Sequence, residues 1–193
     1  MVRDPFWNHN THYHRLALRH AGDASTALDV GCGEGLLVRR LRDAGVPAVV
    51  GLDLDPAETA RAAGGTGISY LTGSVLDVPE GQFDLVTCFA TLHHLDLDAG
   101  LARLAALTAP GGRLVVVGLA AVRSPTDAVA SLAAVPLAAV VDRVRGVWDH
   151  GSAMVDPVQG YAQVRRAARA HLPGVRWRRR LYWRYSLVWR SPA

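Results

Sequence analysis

Between Ala27 and Gly35 the chain reads Ala-Leu-Asp-Val-Gly-Cys-Gly-Glu-Gly, and the helical run Leu36 to Arg42 follows at once. Leu28 and Val30 close a buried strand, and three glycines at alternate positions then let the backbone turn sharply without Cβ clashes. A ligand can approach the main chain closely there. Leu36, Leu37 and Leu41 share one helical face, so the N–H groups at the helix start are left pointing toward whatever the loop holds. The run predicts a strand, a glycine loop and a helix that together cradle a nucleotide-like group. The competing reading is a tight strand-to-helix turn with no ligand.

The spacing sets this loop apart from a dinucleotide fold, which offers Gly-x-Gly-x-x-Gly. Here the glycines are Gly31, Gly33 and Gly35, with Glu34 inside the loop and Asp29 two residues before it. Two negative charges around the loop suit an amino group or a sulfonium better than a pyrophosphate. These nine residues resemble the first motif of the class I methyltransferases that use S-adenosylmethionine, of the methyltransferase-11 and methyltransferase-25 type. The resemblance continues almost without a break to Leu119, through Phe83-Asp-Leu-Val-Thr-Cys88 and Ala109-Pro-Gly-Gly-Arg-Leu114, and thins afterwards.

Ala48 to Leu52 is a second buried strand that closes on Asp53, about twenty residues beyond the glycine loop. An acid at the tip of the second strand can accept both hydroxyls of a ribose, and the resemblance gives Asp53 that role. Asp55 and Pro56 begin the next helix as N-cap and first residue. Ile68 to Leu71 is a third strand. In the family the loop after it begins Gly-Asp, whose acid receives the adenine amino group. The matching position here is Ser74, and a serine hydroxyl accepts that bond more weakly than a carboxylate. Asp77, three residues on, is the alternative for that contact. The cofactor set the resemblance implies is Asp29, Gly31, Cys32, Gly33, Gly35, Asp53, Leu54, Ser74, Val75 and Phe89.

Open parallel sheets bind ligands at their carboxyl edges, so the end of the fourth strand borders the transferred methyl group. Phe89, Ala90, Thr91, Leu92, His93 and His94 stand there. His93 and His94 are candidates for deprotonating an acceptor, and His150, beside Asp149, is a third. The segment Phe6 to His20 predicts a short helix over the cradle. Trp7 and Tyr13, with Leu92 and His93, are expected to wall the acceptor pocket. His9, His12 and His14 lack the cysteine or carboxylate partners of a metal site, so no metal is expected.

Helices are expected over Leu97 to Thr108, Asp127 to Val147 and Asp156 to His171, and a fifth strand over Arg113 to Gly118. The helix over 127–147 is apolar almost all round and carries Pro136. Its cover would be the acceptor pocket, a partner chain or its own domain. Two strands, Val175 to Tyr182 and Arg184 to Arg190, form a closing hairpin with partly solvated faces. The whole is a single α/β domain of residues 1–193, a Rossmann-like, doubly wound sheet with helices on both faces. It divides into a cap helix (1–22), a substrate-side helical insertion (120–156) and the closing hairpin (175–190). The resemblance implies seven strands, the last antiparallel.

At 193 residues and half apolar, the chain fits one domain with a sizeable core. All 21 basic residues are arginine, and from Val164 onward nine arginines stand with no acid. Such a tail fits either a nucleic-acid surface or the solvated face of two strands. Against nucleic acid, the end of the fourth strand lacks the Asn/Asp-Pro-Pro-aromatic motif of nucleobase amino-methylating relatives, and no Pro-Cys nucleophile is present. Two cysteines make no disulfide framework, no signal-peptide pattern opens the chain, and no run is long enough to span a bilayer. A cytoplasmic protein is expected. The function the resemblance implies is methyl transfer from S-adenosylmethionine, leaving S-adenosylhomocysteine, onto an O, N or C atom of a small, hydrophobic or aromatic molecule such as a secondary metabolite. The alternatives are an RNA or DNA methyltransferase using the hairpin, or a non-catalytic cofactor-binding partner protein. Monomer and homodimer both remain open.

Overall fold

The computed structural model describes residues 4–78, 81–145, 148 and 156–193. Seven strands make one sheet in the order β3-β2-β1-β4-β5-β7-β6. They are β1 (Thr26–Val30), β2 (Ala48–Asp53), β3 (Ile68–Thr72), β4 (Phe83–Phe89), β5 (Thr108–Leu119), β6 (Arg176–Arg180) and β7 (Arg184–Arg190). The first five pair in parallel, and β7 enters antiparallel between β5 and β6. This is the doubly wound sheet with an antiparallel last strand that the sequence implied.

The central strands read as continuous apolar runs because helices cover both of their faces. Leu28, Val86 and Val116 face a core shared with Leu101, Leu104 and Tyr161, whereas Leu85 and Val115 face a second core with Leu37, Leu41 and Ala17. The second core is covered by α1 (His14–Ala21) and α2 (Leu36–Asp43), and the first by α4 (Leu97–Ala106) and α6 (Tyr161–His171). In α2 the buried stripe Leu37, Val38 and Leu41 alternates with Arg39, Arg40 and Arg42. Each leucine so buried contributes about 1.5–3 kcal/mol. The short α3 (Pro56–Arg61) is capped by Asp55, whose carboxylate accepts from the Ala57 N–H at 2.8 Å. Asp84 serves the sheet, accepting from the Ser25 and Thr26 N–H groups at 2.9 and 3.0 Å.

Four local expectations change. The N-terminal helix begins at His14, and residues 4–13 form a loop and a 3-10 turn (Thr11–Tyr13) in front of it. The helix itself packs on the sheet face beside α2, so it is this loop that reaches the carboxyl edge. Pairing of β5 starts at Thr108, because Phe83 pairs with Thr108 and Leu85 already pairs with Arg113, which leaves the Pro110-Gly111-Gly112 stretch as a bulge. Helix α6 begins at Tyr161, since the preceding backbone is pulled into a bridge between Ala121 and Gly160. Finally, β7 is mostly buried, because Tyr185, Leu187 and Trp189 pack into the first core.

Candidate functional site

The carboxyl ends of β1, β2 and β4 meet around the glycine loop. Gly31, Gly33 and Gly35 all adopt left-handed φ angles, of 73°, 52° and 79°. The Gly31 and Cys32 N–H groups donate to the Leu52 carbonyl at 2.7 and 3.1 Å, which pins the loop to β2. A Cβ on Gly31 would lie 1.9 Å from Thr91 Oγ1, and one on Gly35 would lie 2.1 Å from the Tyr70 hydroxyl. A Cβ on Gly33 would meet only Glu58 Oε2, at 3.8 Å. Two of the glycines thus admit neighbouring side chains from beneath, and the open approach to the backbone is over Gly33.

Asp53 stands beside that opening. Its Oδ2 accepts from the Gly33 N–H at 2.8 Å and its Oδ1 from the Asp55 N–H at 3.0 Å, which fixes the carboxylate while leaving lone pairs for hydroxyl donors. Leu54 follows it at the strand tip, 72% exposed, as an apolar shelf. Across the loop, the Ser74 hydroxyl accepts from the Leu76 N–H at 3.2 Å, its carbonyl accepts from Asp77, and Val75 is buried behind it.

Asp29 lies deeper than the sequence suggested. It is 2% exposed, and the register that sets it opposite Thr87 lets that hydroxyl donate to Asp29 Oδ1 at 2.7 Å. Burial pushes its carboxyl up to about 7, with the Thr87 bond opposing and the charge of Asp53 adding to the rise. The Cys32 thiol is raised too, by burial first and then by the charges of Asp29 and Asp53. It is a packed side chain and no nucleophile at neutral pH.

At the end of β4, Phe89 is buried and meets the His14 ring edge-on at 5.5 Å. Ala90 then turns with φ of 51°, a strained geometry for a residue other than glycine. His93 and His94 follow on a single 3-10 turn (Leu92–His94), their rings 4.1 Å apart; His94 is exposed and His93 half-buried. Leu92 is wholly buried in the core, beneath the site rather than on its surface. His150 and Asp149 lie outside the described residues.

Trp7 and Tyr13 are buried as well, at 3% and 6% exposure. They belong to a wall of rings at the carboxyl edge: Trp7 meets Tyr182 edge-on at 6.1 Å, His9 stacks on Tyr182 at 4.2 Å, and the Tyr13 hydroxyl donates to the Leu181 carbonyl at 3.0 Å. A hollow of ≈ 380 Å³ lined by Trp7, His12, His14 and Arg40 opens on the outer side of this segment, toward α1 and α2. Helix α5 (Pro125–Arg145) crosses the same edge. Arg179 of β6 donates to Asp127 at 2.7 Å near its start, and His9 meets Asp142 at 3.0 Å near its end.

Sequence reasoning missed Tyr70, the His9–Asp142 pair and the packing of Thr91 against Gly31. Thr91 and Tyr70 are found only by folding the sheet, since each fills the space left by a glycine over thirty residues away. Among the described residues no cluster of metal-ligating side chains occurs.

The chain is similar to known methyltransferases over most of its length. The family described as a methyltransferase domain, methyltransferase-11, matches residues 28–116. An uncharacterized methyltransferase of Mycobacterium tuberculosis is 35% identical over 199 residues, which cover 98% of this chain and 100% of that protein. Among solved structures, an S-adenosylmethionine-dependent methyltransferase from Mesorhizobium loti superposes with a TM-score of 0.67 at 18% identity, covering 97% of this chain and 100% of that one. The N-methyltransferase NodS from Bradyrhizobium japonicum, in complex with S-adenosylhomocysteine, gives 0.63 at 19% identity, over 95% and 87% of the two chains. A glycine loop open over Gly33, an anchored acid at Asp53 and an apolar shelf at Leu54 fit such a nucleoside. With the fold, the loop and a full-length relative in agreement, the chain belongs to the class I S-adenosylmethionine-dependent methyltransferases.

Proposed function

We propose that this enzyme methylates an O, N or C atom of a small, apolar or aromatic molecule. The observation that carries the reading is the make-up of the carboxyl edge, where rings and aliphatic groups of Phe89, Trp7, Tyr182 and Ala138 share one buried cluster. When bound, S-adenosylmethionine supplies a sulfonium methyl group, which a nucleophile attacks in line to leave S-adenosylhomocysteine.

The protein's part is to align and to exclude water. Asp53 would take the ribose hydroxyls, Leu54 and the backbone N–H of Val75 would meet the adenine, and the hydroxyl of Ser74 or the carboxylate of Asp77 would receive its amino group. Asp29 and the loop backbone of Gly31, Cys32, Gly33 and Gly35 hold the amino-acid end. Phe89 borders the methyl group, and Trp7, Tyr13, Leu92 and His93 shape the acceptor side, the buried members from behind. A neutral alcohol or phenol would pass its proton to His93 or His94, with His150 the further candidate.

Four of the six arginines over 175–190 are engaged within the protein, Arg190 among them through the Gly111 carbonyl, which weighs against a nucleic-acid substrate while Arg176 and Arg178 stay exposed. Arg179 is taken up by Asp127, Arg184 donates to Asn10 at 3.0 Å, and Arg180 to Ser186 at 2.8 Å. The test is transfer of labelled methyl from S-adenosylmethionine into a cell extract split into organic-soluble and nucleic-acid fractions, with Asp53→Ala as control. Label in the organic-soluble fraction, absent with the variant, is the expected result. Label in nuclease-sensitive material would overturn the small-molecule reading.

A further inference from the structure

Helix α5 turns a row of apolar side chains to solvent. Its acids and Ser131 face inward, where Asp127 and Ser131 accept from Arg179 at 2.7 and 3.3 Å and Asp142 meets His9 at 3.0 Å. Its outward side carries Val129, Leu132, Val140 and Val144, exposed by 70%, 74%, 61% and 71%. Positions 129, 132, 136, 140 and 144 recur every three or four residues and so share one stripe, the reverse of what a surface helix of a water-soluble domain presents. The apolar surface continues past the start of the helix. Val158, 65% exposed, is tied to Arg123 through its carbonyl at 2.9 Å, and Trp183, 39% exposed, lies at the hairpin turn whose carbonyl accepts from the Ala120 N–H.

The charges are sorted in the same sense. Between positions 120 and 144 the acids are Asp127 and Asp142, both turned inward and paired, whereas Arg123 and Arg143 are exposed. Over 120–144 the outward surface among the described residues is therefore apolar and cationic, and the next exposed acid along the described chain is Asp156, two residues before Val158. We infer that α5 and this rim dock on an anionic lipid surface, the helix lying in the plane of the headgroups with its valines in the acyl boundary and its arginines among the phosphates. The contact lies on a membrane and does not cross it, since among the described residues no helix is long and apolar enough to span one. A second copy of the chain is the weaker occupant, because a stable dimer draws on roughly 20–30 residues a side and one helical stripe offers far fewer. The inference stands on this surface and is independent of which acceptor is methylated.

The test is flotation of the purified full chain with vesicles of phosphatidylcholine alone or mixed with phosphatidylglycerol. Two variants accompany it: the triple change Val129→Gln, Leu132→Gln, Val140→Gln, and the single change Arg143→Glu. Both alter exposed side chains, and unchanged S-adenosylmethionine binding by calorimetry certifies their fold. The expected result is binding to the anionic vesicles, weaker by at least tenfold on phosphatidylcholine alone, and lost by at least tenfold in the triple variant and severalfold in Arg143→Glu. Absence of binding to anionic vesicles, or binding undiminished in both variants, would overturn the inference. So would a dimer, seen by light scattering, that the triple variant splits. Methyl transfer enters none of these readouts, so a failure of docking and a failure of the small-molecule reading are told apart.

Discussion

An alanine at position 31 would press its methyl group against Thr91 while forcing a left-handed φ, and an alanine at 33 would meet only the second demand. The left-handed geometry alone costs about 1–2 kcal/mol. Gly33→Ala should therefore lower stability by about that much, and Gly31→Ala by about 3 kcal/mol or more once the clash is added. Urea unfolding of the two variants measures the difference. Asp29 gives a pH-dependent outcome at the same scale. Its folded carboxyl titrates near 7, above the unfolded value of 3.8, so the folded state binds the extra proton between those limits. The stability tied to that proton is fully present below the unfolded value and is lost as pH rises toward 7. Asp29→Asn removes the effect and keeps an oxygen for Thr87, so the melting temperature of the variant should gain on that of the wild type from pH 4 to 7 and then level. His14 works in the opposite sense. Burial and the Arg40 guanidinium lower it from 6.5 to about 3, so its contribution is present above 6.5 and lost as pH falls. Because both proteins carry His14, it cancels in the comparison.

At the scale of the element, Arg179 fastens α5 to the sheet. It reaches Asp127, the Asp127 carbonyl and Ser131, and lies 4.0 Å over the ring of Tyr161. Arg179→Ala should cost about 1–3 kcal/mol and open α5 locally, seen as faster amide exchange confined to 125–145. Elements of this kind also mark how far the sequence could be read. Strands β1, β2 and β4 were legible because a buried parallel strand is a run of apolar residues, and the place of Asp53 beside the glycine loop was legible because strand tip and loop lie a fixed distance apart. The loop before α1 was not legible, since the spacing of Tyr13, Leu16 and His20 is helical while the turn over 11–13 is decided by the Asn8 side chain, which accepts from the N–H groups of Asn10 and Thr11. Nor was the burial of Trp7, Tyr13 and Leu92, because a side chain near a site and a side chain beneath it look alike until the wall of rings is assembled.

For the whole molecule, ligand binding and folding are one equilibrium. A ligand held by the native loop and not by the unfolded chain adds about 2.7 kcal/mol at a hundred times its dissociation constant. In a domain of this size that corresponds to a rise in melting temperature of about 5–10 °C. S-adenosylmethionine should give that rise with the wild type and little with Asp53→Ala at the same concentration, read by differential scanning fluorimetry.

The hairpin turn has a consequence for the order of assembly. Tyr182 and Trp183 both hold left-handed φ angles, of 61° and 55°, which bulky side chains resist. What keeps them there comes from the other end of the sequence: His9 stacks on Tyr182, the Tyr13 hydroxyl grips Leu181, and Asn10 receives Arg184. Without those contacts the turn would lose what opposes its strain, while β7 itself is held by its ladders to β5 and β6. The loop over 9–13, synthesised earlier, must therefore wait for the hairpin over 176–190, synthesised later, and the turn closes like a clasp only once both are present.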